Sequence, residues 1–199
     1  MKEVGKDMPN DHSTLISELT KIKEEGNRLY KENKIEEAKN KFKEGYEKFE
    51  KQSKLINIEK KYNDQTKELF ILSKKILSNI ALCYYKEENY EEAIKYDLKI
   101  IANFPKFGKS IVRLFNSYSK LNKIQQAVYY GDLFLELDQE TRDKFKGIPE
   151  KIQEEKKKLE KIQKEEAGKI RKYLYKYIIP VIILSFSIIV LYVKSNNKK

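Results

Sequence analysis

Five polar side chains stand at spacings that would let them act together on an anion. Lys23 and Asn27 are four residues apart, as are Lys109 and Arg113. Within a helix each such pair shares a face. Asn79 adds a second amide, inside the apolar run LSNIALCYY. The set offers three cations and two amide NH2 donors, and no acceptor of comparable strength. Charge-assisted bonds from Lys and Arg, with neutral donors from Asn, suit two carboxylates held close together. Other chemistry is poorly provided for. His12 is the only histidine and lies in a polar N-terminal stretch, so a His-based metal site or a His-activated nucleophile has no basis. Cys83 is the only cysteine, which rules out an intramolecular disulfide, fits a reducing compartment and reads as a buried packing residue. There is no phosphate loop, so the sequence predicts a non-enzyme with no cofactor, no metal and no small-molecule substrate.

Residues so far apart in the chain can meet only if repeated elements bring them into register. Of the 199 residues 37% are charged and 40% apolar, with only 7 Gly and 4 Pro, a composition that points to an all-α protein. Three stretches resemble one another: LYKENKIEEA (29–38), YYKEENYEEA (84–93) and SYSKLNKIQQA (117–127). Each ends a helix, turns near Asn33, Asn89 or Asn122, and starts another helix. Ala38, Ala93 and Ala127 recur 55 and then 34 residues apart. A period of 34 is that of the tetratricopeptide repeat, a helix–turn–helix unit stacked into a superhelix.

Apolar spacing supports three such pairs. Leu19, Ile22, Gly26, Leu29 and Tyr30 form one stripe, and Ile35, Ala38, Phe42, Gly45, Tyr46 and Phe49 its partner. Gly26 and Ala38 are then the small residues at a close helix approach. The 21 residues that lengthen the first interval, around QSKLINIEKKYNDQ, should extend the helices on either side of that turn. In the third pair Phe115 and Gly131 replace the usual small and aromatic choices.

Around this three-repeat domain (15–139) the sequence predicts a disordered N-terminus (1–14) and one long polar helix from Gln139 (140–172). Ile148, Ile152, Leu159 and Ile162 would let its first part cap the superhelix, and the rest would form a stalk. Residues 178–193, IIPVIILSFSIIVLYV, carry no charge and are apolar on every side. As a helix they span about 24 Å, against a hydrocarbon core of about 30 Å. Tyr173–Tyr177 would lengthen the span and, with Tyr192, supply interfacial rings. The expectation is one transmembrane helix at 173–193, a tail anchor followed by a short basic tail (194–199), with the bulk of the chain in the cytosol. Its shortness and basic flanks favour a thin bilayer; the mitochondrial outer membrane is the favoured candidate, with the endoplasmic reticulum the other. The net charge of +11 is accounted for by Lys-rich solvated faces, and with no recognisable nucleic-acid motif no nucleic-acid partner is expected.

Over residues 19–139 the chain resembles the carboxylate-clamp tetratricopeptide domains of chaperone adaptors. The family pattern is Lys-x-x-Gly-Asn in repeat one, Asn in repeat two and Lys-x-x-x-Arg in repeat three. Lys23, Gly26, Asn27, Asn79, Lys109 and Arg113 match it. The resemblance implies that the first helices line the concave side and bind the C-terminal Glu-Glu-Val-Asp (EEVD) of cytosolic Hsp90 and Hsp70. Lys23, Asn27, Asn79 and Lys109 would hold the terminal carboxylate and the last Asp, and Arg113 an acidic side chain. Tyr30, Leu82, Tyr85 and Asn116 would line the pocket for the peptide's apolar residue. The long first interval also looks like the repeat domain of large, tail-anchored immunophilins. The few residues before the first repeat cannot hold their isomerase domain, so isomerase activity is not implied.

Overall fold

The computed structural model describes residues 11–56 and 64–182. They form α1 (Asp11–Lys31), α2 (Ile35–Ile56), α3 (Asp64–Lys86), α4 (Tyr90–Asn103), α5 (Gly108–Lys120), α6 (Ile124–Leu135), α7 (Gln139–Asp143) and α8 (Ile148–Tyr173), followed by a π-helical turn, Leu174–Ile178. The chain divides into two compact units, residues 1–152 and 153–199.

In the first unit the helices pair as the repeat requires. α1 packs on α2, α3 on α4 and α5 on α6. The first helices of successive pairs also touch, α1 on α3 and α3 on α5, so they run side by side as one layer. α1 buries Leu15, Leu19, Ile22 and Leu29 along one stripe, and α2 answers with Ala38, Phe42 and Phe49. A Cβ at Gly26 would run into the Phe42 ring, so glycine's poor helix propensity is offset by the close approach it permits. α3 lies between α1 and α5 and is buried over most of its surface, from Thr66 to Tyr84. α2 and α3, at 22 and 23 residues, exceed the 12 to 14 of α4, α5 and α6, which takes up part of the long first interval; residues 57–63 of that interval lie outside the described residues.

The turns follow the asparagines with one exchange. Asn33 and Asn122 take left-handed backbone at φ 61° and 55°. Such positions favour Asn over bulkier residues. In the middle repeat Glu88 takes the left-handed position at φ 58°, and Asn89 instead caps α4 by accepting from Glu92 N–H.

Two expectations need correction. Residues 11–14, predicted to be disordered, form the first turn of α1, because Leu15 and Leu19 just beyond them are fully buried and fix the helix there. The predicted single helix from Gln139 is broken in two. Asp138 caps the short α7 by accepting from Thr141 N–H and hydroxyl, both at 2.8 Å. Gly147 then turns the chain at φ 80°, and Pro149 sits in the first turn of α8, where it needs no donor. Of the expected capping stripe, Ile148 and Ile152 are buried, whereas Ile162 is exposed.

In the second unit α8 runs to Tyr173 and passes into the π-helical turn, in which Ile179 N–H bonds Leu174 C=O. Pro180 cannot donate and its ring displaces the carbonyl four residues back, a local cause for the widened turn. Among the described residues no helix is long and apolar enough to cross a membrane. Residues 183–193 of the predicted transmembrane helix, and the 194–199 tail, lie outside the described residues, as do residues 1–10.

Candidate functional site

The predicted clamp residues all fall on the first-helix layer. α1 carries Lys23 and Asn27, α3 carries Asn79, and α5 carries Lys109 and Arg113. Contact between α1 and α3 brings the two amides together: Asn79 Nδ2 donates to Asn27 Oδ1 at 2.9 Å. Each amide can make several bonds, so the NH2 of Asn27 and one N–H of Asn79 remain for a ligand. Lys23 is half-buried and Lys109 exposed, and neither has a hydrogen-bond or ion-pair partner among the described residues. Like many other lysines of the chain, these two ammonium groups are left open.

Arg113 is placed differently. Only 8% of it is exposed. Its Nε donates to Asp97 Oδ2 at 2.7 Å and its Nη2 to Asp97 Oδ1 at 2.6 Å, with Ser78 Oγ a further acceptor at 3.3 Å. Asp97, on α4, is fully buried. Burial pushes its carboxyl pKa up, and the guanidinium pulls it back down. This bidentate fork holds the guanidinium plane fixed beside Asn79's neighbour on α3. Nη1 alone is left without a partner among the described residues. Arg113 therefore enters any clamp as a fixed, largely neutralised donor rather than a free cation.

The predicted pocket residues Tyr30, Leu82, Tyr85 and Asn116 are all half-buried on the same three first helices. Burial raises the phenol pKa of Tyr30 and Tyr85, and the positive field of Arg113 lowers both in part. No bond ties Leu82 or Asn116 to the five clamp residues.

Asp97 is the site residue that the sequence reading missed. It stands 55 residues after Phe42, the interval that separates Ala38 from Ala93, and so holds the register of a core aromatic. On α4 it shares the buried stripe of Ala93, Ile94 and Ile100. A carboxylate on a buried stripe needs a buried cation; that signal was in the sequence, but the partner lay on another helix. Two other basic and thiol groups have structural roles. Lys39 pairs with Glu36 and with Glu87 while sitting over the Tyr84 ring. Cys83 is fully buried, with its thiol pKa pushed up to about 12 by burial.

No protein-family model and no curated protein sequence matches the chain. A solved structure does. It is the C-terminal TPR-containing domain of a protein named as an FK506-binding protein from Plasmodium falciparum, with a TM-score of 0.56 and 22% identity. The match covers 73% of this chain and 95% of that one. The fold is that of a tetratricopeptide-repeat domain. Within such a domain, the layer formed by α1, α3 and α5 runs continuously across the repeats. The open lysines, the amide pair and the Tyr30 and Tyr85 rings all lie on this repeat layer.

Proposed function

We propose that this tetratricopeptide-repeat protein is a membrane-tethered adaptor whose clamp binds the acidic C-terminal EEVD motif of cytosolic Hsp90 or Hsp70. The observation that carries the reading is the pair of open ammonium groups, Lys23 on α1 and Lys109 on α5, on the same helix layer as the bonded amides Asn27 and Asn79. A terminal carboxylate beside an Asp side chain supplies the paired negative charge that this set lacks. A peptide of four or five residues covers little area, so micromolar affinity is the order to expect, about −8 kcal/mol. Much of it would be electrostatic and would weaken with salt. The apolar run 178–193, with Tyr173–Tyr177 before it, supplies the tether, and its basic flanks favour the mitochondrial outer membrane. The direct test is titration of the full chain, in detergent, with an EEVD-ending peptide as the free acid and as the C-terminal amide. The free acid should bind at least tenfold more tightly. Equal binding by the two forms removes the clamp.

The commitment of Arg113 to Asp97 favours a second reading, a membrane-tethered scaffold or organelle-fission or import adaptor that does not bind chaperones. On that reading the groove takes another partner, and recruitment is unaffected when Lys23 and Lys109 are replaced by Ala.

A further inference from the structure

Eleven large hydrophobic side chains are exposed among the described residues, and eight of them lie between Ile170 and Ile182. Scattered exposed apolar residues need no explanation, but a run of this density does. The charge pattern changes at the same place. From Gln153 to Glu166 lysines and glutamates are mixed, five of each. After Glu166 the sequence has no acidic residue, whereas Lys169, Arg171, Lys172 and Lys176 follow within one short segment.

The two properties are sorted onto different sides of the helix. Ile170, Tyr173, Leu174 and Tyr177 recur at i, i+3, i+4 and i+7, with the Tyr173 and Tyr177 rings 5.0 Å apart. Arg171, Lys172, Tyr175 and Lys176 border a shallow groove floored by Gly168. A Cβ at Gly168 would meet nothing, so packing does not require glycine there. Its effect is to leave the space between the cations open. The Arg171 guanidinium lies 5.7 Å from the Tyr175 ring centre, and the Lys176 ammonium 5.1 Å from that of Tyr177. None of the four cations has an acidic partner among the described residues.

We propose that residues 168–178 form a collar that docks on an anionic phospholipid surface. Headgroup phosphates would sit against Arg171, Lys172 and Lys176, and Ile170, Tyr173, Leu174 and Tyr177 would enter the acyl boundary. A nucleic acid or an acidic protein would satisfy the cations but leave the exposed apolar side chains in water. A bilayer surface offers phosphate and hydrocarbon within about 5–10 Å of each other. The inference rests on the membrane reading above and names the lipid class that it prefers.

The experiment uses the full chain, synthesised in the presence of vesicles of pure phosphatidylcholine or of phosphatidylcholine with about one third phosphatidylserine. Each basic residue near such a surface contributes roughly fivefold in partitioning. Capture by the anionic vesicles should exceed capture by the neutral ones by on the order of tenfold to a hundredfold, and the excess should fall with salt. The triple variant Arg171→Gln, Lys172→Gln, Lys176→Gln should lose most of that excess. A charge-matched variant, Lys157→Gln, Lys161→Gln, Lys164→Gln, should keep it. Equal capture by both vesicles, or equal loss in both triple variants, overturns the collar. Extraction at alkaline pH tests the tether separately: a chain held by anionic vesicles but stripped by carbonate keeps the collar and loses the anchor.

Discussion

At one end of the layer formed by α1, α3 and α5, Asn27 and Asn79 hold each other through a single neutral bond, and Lys23 on the same helix as Asn27 is unpaired. At the other end Lys109 is equally open, but Arg113, one turn further along α5, is buried against Asp97 by two short bonds. Both ends read as donors in the sequence, yet the free cation at each end is a lysine, with only spare amide donors beside it at the first. A buried ion pair is strongly destabilising to break and contributes little extra when intact. Open lysines are the reverse: on the function proposed above, their removal should leave the fold alone and weaken the acidic peptide. Buried charge is therefore concentrated at Arg113, and open charge at Lys23 and Lys109.

The largest expected effect tests that division at its stable end. Asp97→Ala strands a guanidinium in the core and should cost about 3–5 kcal/mol, read as a drop in the urea midpoint. Adding Arg113→Leu should recover most of the loss, because no buried charge is then left at that site. A loss below 1 kcal/mol for Asp97→Ala would mean that the pair is not buried in solution, and the contrast between the two ends would collapse. Next in size, Lys109→Ala and Lys23→Ala should each weaken the EEVD peptide roughly tenfold at low salt and much less at high salt, with the urea midpoint unmoved. A fall in stability with either substitution would show that the lysines have structural partners. The smallest effect concerns the amide pair. Asn79→Ala removes one neutral bond between α1 and α3, at about 1 kcal/mol, and should weaken the peptide only a few-fold. If it abolished binding outright, the amides and not the lysines would dominate recognition.

Much of this was legible from the sequence because it depends on local spacing. The recurrence of Ala38, Ala93 and Ala127 marks the helix pairs, and all three are fully buried. The apolar stripes locate the core, and the i, i+4 pairs place the clamp residues on the first helices. What the sequence hid depends on contacts between helices. Nothing near Arg113 in the chain announces that Asp97 will take its charge, since the pairing exists only once α4 packs on α5. The break between α7 and α8 was missed for another reason. The apolar stripe of that run begins only at Ile148, beyond the break, so Gly147 and Pro149 were weak signals against a strong helical composition.

The exchange of residues in the last pair bears on where the array stops. Gly131 holds in α6 the register that Phe42 holds in α2, and a Cβ there would lie 2.9 Å from the Ile152 side chain of α8. In the first pair the same register is filled by a ring that closes the space over Gly26. In the last pair it is left empty, and Ile152 enters it. The repeats are thus not interchangeable modules. Transplanting the Phe42-bearing helix into the place of α6 would evict α8, and a further repeat added behind α6 would have to compete with Ile152 for its seat. A single missing side chain acts as the terminator of the array.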